Sequence, residues 1–211
     1  MTALSINLNK ISLLRNSREG NYPDIVKHAK VCIEHGADGI TVHPRPDQRH
    51  IRPKDVRDLA ELVRPQPNLE FNVEGNPFAP ALADYPGFLE LVEETNPDQC
   101  TLVPDTDSQL TSDHGFDLHS SGEALYPIIQ RLKNQGMRVS LFMDPDLEQI
   151  DLAAKVGADR IELYTGPYAA SWGTDSLETI FQQHLKAAQL ATSLGMGVNA
   201  GHDLNLDNLA K

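Results

Sequence analysis

The sequence predicts an α/β fold built as a closed barrel of parallel strands and helices, and three observations lead there. First, a joint in which a helical pattern stops at glycine and passes into a short β-rich run recurs. It reads EHGADGITVH at 34–43, NQGMRVSLF at 134–142, KVGADRIELY at 155–164 and SLGMGVNAGH at 193–202. Glycine at each joint can take the left-handed conformation that ends a helix, so each copy is a helix-to-strand connection. Second, strands alternate with helices, which gives a parallel sheet. Third, the strands are apolar on one face only. An open parallel sheet packs both faces of its strands under helices and reads apolar nearly throughout, whereas a barrel can keep a polar interior.

Taken in order, strands are expected near 5–8, 39–43, 69–73, 99–103, 138–142, 160–164 and 197–200. Leu69, Phe71 and Val73 alternate with Glu70, Asn72 and Glu74; Ile40 and Val42 alternate with Thr41 and His43. Ile161 and Leu163 alternate with Glu162 and Tyr164, and the same parity gives Asn7, Ser140 and Asn199. Helical patterns are expected near 22–34, 53–63, 87–94, 122–134, 146–155 and 177–193. The chain of 211 residues is long enough for a single βα-barrel domain over 1–211. A TIM-type (β/α)8 barrel needs eight units and commonly ~250 residues. Seven strands are counted here, and the text stops inside what looks like a seventh helix, so truncation before the eighth unit is the expected reason.

A formal net charge of −12 argues against a nucleic acid partner and an anionic membrane surface. No segment has the length and apolarity of a membrane span or the layout of a signal peptide. The two cysteines, Cys32 and Cys100, look like packing residues, so a soluble, cytoplasmic protein is expected. An anionic ligand must then be held by a local cluster. TVHPRPDQRHI at 41–51 is such a cluster, with Arg45, Arg49, His50 and Arg52 on a loop stiffened by proline. Arg presents a fork of donors matched to phosphate oxygens, and a stiff loop loses less entropy on binding. A charged contact with a neighbouring subunit is the alternative. LLRNSREGNYPD at 13–24 is a second Arg-bearing loop, and the long polar stretch at 104–118 is a candidate lid.

Barrel enzymes place their chemistry at the C-terminal ends of the strands. Those ends are expected to carry Asn7, His43, Glu70, Asn72, Glu74, Asp144, Glu162 and His202. Carboxylates desolvated beside histidines make an acid-base apparatus. No HxH or HxxxH spacing is present, and no metal is expected. An aldolase would need a Schiff-base lysine at a strand end, where only Lys10 stands. A metal-dependent epimerase and a non-catalytic binding relative remain as other readings.

The motifs LLRNSR, YPD, GADGITVH with RPDQRHI, NLEFN, TLVP with LTSDHGFD, RVSLF, IELYTGPYA and VNAGH together closely resemble the pyridoxine 5'-phosphate synthase family over essentially the whole chain. The resemblance implies a βα barrel that condenses 1-deoxy-D-xylulose 5-phosphate with 3-amino-2-oxopropyl phosphate, without cofactor or metal, in a homo-oligomer. It implies that Glu70 is a general base, His43 a second proton acceptor and His202 a proton donor. Glu162 would stabilise cationic or polarised intermediates. Arg45, His50 and Thr111 would hold one phosphorylated substrate, and Asn7 and Arg18 the other. The family's usual Asp-His is replaced here by Asn9-Lys10, in contact with the deoxyxylulose substrate. Asp203 replaces a glycine near the second phosphate, and 75–87 is longer than the usual connection.

Overall fold

The computed structural model describes residues 2–106 and 109–209. Strands and helices alternate as expected. The strands are β1 (Ser5–Asn7), β2 (Gly39–Val42), β3 (Glu70–Gly75), β4 (Gln99–Leu102), β5 (Arg138–Met143), β6 (Arg160–Tyr164) and β7 (Gly197–Gly201). The helices are α1 (Asn9–Asn16), α2 (Ile25–Glu34), α3 (Pro53–Val63), α4 (Phe88–Thr95), α5 (Leu118–Asn134), α6 (Leu147–Lys155), α7 (Gly166–Ala170) and α8 (Leu177–Ser193). The glycines of the four joints, Gly36, Gly136, Gly157 and Gly195, all have φ between +84° and +91°. Each helix therefore ends in the left-handed turn that its sequence anticipates.

Helix starts follow local chemistry. Asp24 caps α2 by accepting from the Lys27 N–H at 3.0 Å, and Asp146 caps α6 by accepting from Glu148 and Gln149. Pro53 opens α3, and the Asp55 carboxylate reaches back to the Arg52 N–H at 2.8 Å. Two helices escape the sequence reading. The segment read as a loop from residue 13 begins inside α1, and α7 is a five-residue helix after β6. Helix α5 starts at Leu118, four residues before the expected position. Past β7, where a seventh helix is expected, the described residues 206–209 form one turn, held by the Asn205 side chain; residues 210 and 211 lie outside the described residues.

Two compact units account for the described chain. The first holds β1, β2, β3 and most of β4, paired in chain order, with α1 to α4. β1 and β2 run parallel, as do β2 and β3, with Thr41 opposite Asn72. Its core comprises Ile40, Val42, Val56, Leu59, Val73, Phe88 and Leu91, all without exposed surface. Burying each such side chain contributes ~1.5–3 kcal/mol. On the opposite, polar face Thr41, His43 and Asn72 are buried too, each no more than 6% exposed, while Ser5 and Asn7 of β1 are exposed. Hydrogen bonds link it into a row: Ser5 Oγ lies 2.7 Å from Thr41 Oγ1, Asn72 Nδ2 donates to Thr41 at 3.4 Å, and Thr101 Oγ1 donates to Asn72 Oδ1 at 3.0 Å. The connection at 75–87 is anchored by the buried Tyr85, whose backbone pairs both ways with Leu82 at 2.9 Å.

The second unit holds β5, β6 and β7, all parallel, with most of α5 and with α6 to α8. Glu162 stands opposite Phe142 on one side and Asn199 on the other. Leu125, Ile129, Val139, Leu141, Ile150, Ala153 and Ile161 form its core. His184 in α8 is a structural histidine: Nδ1 contacts the Ile180 carbonyl and Nε2 the Tyr164 carbonyl, both at 2.9 Å. Tyr168 is buried, and its hydroxyl donates to the Asn208 carbonyl at 2.7 Å. Cys100 is fully buried, as expected, whereas Cys32 is only partly so. Among the described residues, no helix is long and apolar enough to cross a membrane.

Candidate active site

In the first unit, the loop after β2 is held from α1. Arg15 is 1% exposed and forks onto Asp55, with Nη1 to Oδ1 at 2.6 Å and Nη2 to Oδ2 at 2.9 Å. The same Nη2 donates to the His50 carbonyl at 3.0 Å. Asn16 Nδ2 reaches that carbonyl at 2.8 Å, and Arg52 donates to Asn16 Oδ1. Pro44 and Ile51 close the loop through a bridge. The expectation of an Arg-bearing anion loop at 13–24 is therefore corrected at Arg15, whose guanidinium is buried as a structural clamp. Arg18, just past α1, is exposed to solvent.

The clamp presents His43, Arg45 and His50, all at least nine-tenths buried. The two imidazoles lie edge to face with centroids 6.2 Å apart. Arg49 pairs with Asp47 at 2.6 Å and Arg52 donates to Asn16, while Arg45 and His50 are buried in the loop that follows His43. Burial, with Arg45 and Arg49 adding to it, lowers the His50 pKa to about 4. The Ile51 N–H donates to His50 Nδ1 at 2.9 Å, so the neutral ring carries its hydrogen on Nε2, where it can donate to an anion.

Stability should report this histidine. An unfolded ring titrates near 6.5, so between pH 6.5 and about 4 the folded chain binds fewer protons. Its contribution is complete above pH 6.5 and is lost as pH falls toward 4, on the order of 3 kcal/mol. Denaturant titrations at pH 7 and 4.5 are expected to differ less in His50→Gln than in the parent.

Asn9 begins α1 and accepts from the His43 N–H at 2.9 Å, and its own N–H donates to Asn7 Oδ1 at 2.8 Å. Asn9 thus sets the backbone of His43. Lys10 lies in the first turn of α1 and is exposed, which corrects its expected place at a strand end. Glu70 is also displaced from expectation. It opens β3 opposite Gly39, because the strand continues to Gly75. Glu74, four residues and about 13 Å further along, is the carboxylate level with His43. Its Oε2 lies 3.9 Å from His43 Nδ1, and Asn72 donates to its Oε1 at 3.4 Å. The alternation had placed Glu74 on the right face; only the extra length of β3 reveals its proximity to His43.

In the second unit, Glu162 stands in mid-β6, and burial raises its carboxyl to about 7. Gly201 makes room for it: a Cβ there would stand 3.1 Å from Glu162 Oε1. His202 follows β7, its ring 5.1 Å from that of Tyr164 and 6.4 Å from that of Phe142. Thr111 Oγ1 lies 2.9 Å from His202 Nε2, and Asp203 Oδ2 lies 2.9 Å from Nδ1. The carboxylate of Asp203 is thereby turned onto the ring. The candidate lid at 104–118 includes residues 107 and 108, which lie outside the described residues. Its far end is fixed, since Gly115 N–H donates to Asp144 and Phe116 N–H to the Phe142 carbonyl. Among the described residues, no three His, Cys, Asp or Glu side chains converge as a metal-ligand group.

Comparison with known proteins bears on this arrangement. The model of the family described as pyridoxal phosphate biosynthesis protein PdxJ matches residues 4–211. The chain belongs to the PdxJ family. Among its relatives, the pyridoxine 5'-phosphate synthase of Xanthomonas axonopodis pv. citri is 55% identical over 99% of this chain and 81% of its own length. That of Xylella fastidiosa is 52% identical over 99% of this chain and 80% of its own. Solved structures show the fold. A deoxyribose phosphate aldolase from Aeropyrum pernix matches with a TM-score of 0.56 at 15% identity, over 94% of this chain and 74% of that one. A tryptophan synthase alpha chain from Legionella pneumophila subsp. pneumophila matches with a TM-score of 0.56 at 12% identity, over 96% and 71%. The PdxJ chain is thus an α/β protein of the TIM type.

Proposed function

We propose that this chain is a pyridoxine 5'-phosphate synthase of vitamin B6 biosynthesis. It joins 1-deoxy-D-xylulose 5-phosphate to 3-amino-2-oxopropyl phosphate and releases phosphate and water. The observation that carries this reading is 55% identity to a synthase across 99% of the chain. Condensation, elimination and ring closure each move protons, and each residue has a task. Glu70 is the general base, His43 the second acceptor and His202 the donor. Glu162, poised near neutrality, becomes the anion that faces a developing cation. Arg45 and neutral His50 grip one phosphate, with Thr111 beside them in role. Asn7 and Arg18 serve the second substrate. Asn9 supports His43, and exposed Lys10 offers its charge to the entering anion. The synthase works in the cytoplasm as a homo-oligomer.

The test supplies both phosphorylated substrates to the parent, Glu70→Gln and Glu74→Gln and follows product fluorescence. The parent is expected to form pyridoxine 5'-phosphate and Glu70→Gln to lose at least about 100-fold in turnover. A parent that forms no product overturns the synthase reading. A loss confined to Glu74→Gln moves the general base to the carboxylate beside His43.

A further inference from the structure

His202 and Asp203 are consecutive non-glycine residues with positive φ, +95° and +56°. Such strain persists only where surrounding contacts over-determine it, and it gathers at functional sites. The contacts are present. The Thr165 hydroxyl lies against the carbonyls of Gly201 and His202, and Asn208 Nδ2 donates to the Asp203 carbonyl at 3.4 Å. What the strain achieves is a side-chain arrangement: Asp203 Oδ2 on one ring nitrogen, Thr111 Oγ1 on the other, each at 2.9 Å, with Tyr164 and Phe142 against the ring.

We infer that Asp203 is a positioning residue for His202, fixing a hydrogen on Nδ1 and leaving Nε2 as the nitrogen that delivers the proton. This rests on the reading of His202 as proton donor. An ionised carboxylate only accepts, so Nδ1 carries hydrogen in both the neutral ring and the imidazolium. In the neutral ring Nε2 then accepts from the Thr111 hydroxyl. In the imidazolium, the Nε2 proton is the one that leaves without breaking the contact to Asp203. The Nε2–H bond breaks, the substrate atom takes the proton, and the ring returns to its Nδ1–H form, with Asp203 anionic throughout. The same contact turns the carboxylate toward the ring, so a negative side chain is tolerated where the family's glycine carries none.

The experiment combines ring-nitrogen NMR of the full chain, labelled with 15N-histidine, with steady-state kinetics. Asp203→Gly keeps the positive φ without strain and removes the acceptor. Asp203→Asn also tolerates that φ and retains an oxygen that can accept. The parent is expected to show neutral His202 protonated at Nδ1. Asp203→Gly should revert to the Nε2–H form of a free ring, with kcat lowered about 10- to 100-fold and KM little changed. Asp203→Asn should keep the Nδ1–H form and recover most of kcat. An unchanged tautomer in Asp203→Gly, or an effect on KM alone, overturns the inference. His202→Gln separates the two readings. If it keeps the parent's kcat, the donor assignment fails; if it is impaired while Asp203→Gly is not, only the positioning role fails.

Discussion

Glu162→Gln is expected to lower turnover by about 10²- to 10³-fold while making the protein more stable above neutral pH. Both effects come from one cause. The carboxyl sits in mid-β6 between Phe142 and Asn199, beside Gly201, and burial raises it from 4.5 to about 7. Between those two values the folded chain holds a proton that the unfolded chain releases. The stability this confers is complete below pH 4.5 and is lost progressively as pH rises to about 7, on the order of 3 kcal/mol. Glutamine fills the same space without ionising, so the variant should lose less stability between pH 5 and pH 8. It should also lack the pH–rate limb near 7. Denaturant midpoints at the two pH values and a rate profile check both claims; a variant with the parent's turnover would remove Glu162 from the reaction.

The largest effect on folding is expected at Arg15. Arg15→Met should reduce stability by about 3–5 kcal/mol, because it leaves the Asp55 carboxylate buried without its charge partner. For a chain of this size that corresponds to a fall in Tm of roughly 6–20 °C. The damage should also reach the anion loop, since the His50 carbonyl loses a donor and the ring above it loses its seat. A raised KM for a phosphorylated substrate is the expected kinetic sign in the surviving folded protein. Pairing the change with Asp55→Leu should recover part of the stability, because the unpaired charge is gone, although the Arg52 N–H still loses its acceptor. Thermal unfolding of the two single variants and the double variant measures this, and an Arg15→Met protein as stable as the parent would show that the clamp is dispensable.

The alternation of strands and helices was legible because glycine joints and one-sided apolar strands are local signals. Helix α8 spans 177–193, as its pattern indicates. Helix α1 was not legible, for a physical reason. In NKISLLRN the leucines Leu13 and Leu14 are exposed while Ser12 and Arg15 are buried, the reverse of an amphipathic signature. Arg15 finds its partner at Asp55, 40 residues away, which no window of sequence reveals. The residues carrying the site were legible as motifs, but not their working levels. Glu70 and Glu74 share a face, and only the extent of β3 shows which lies beside His43. Asp203 reads from the sequence as a charge beside a phosphate; its direction depends on a backbone angle.

The hydrogen-bonded row through Ser5, Thr41, Asn72 and Thr101 bears on how the first unit avoids misfolding. A slip of one residue between parallel strands turns every side chain to the wrong face and is rejected by hydrophobicity alone. A slip of two residues restores the alternation, so apolar packing discriminates poorly against it. The row does discriminate: after such a slip Asn72 no longer stands opposite Thr41, and buried amide and hydroxyl groups lose their partners, at about 1–3 kcal/mol for each group left unsatisfied. The polar interior thus acts as a vernier for strand alignment, rejecting the even-numbered error that the apolar exterior would admit.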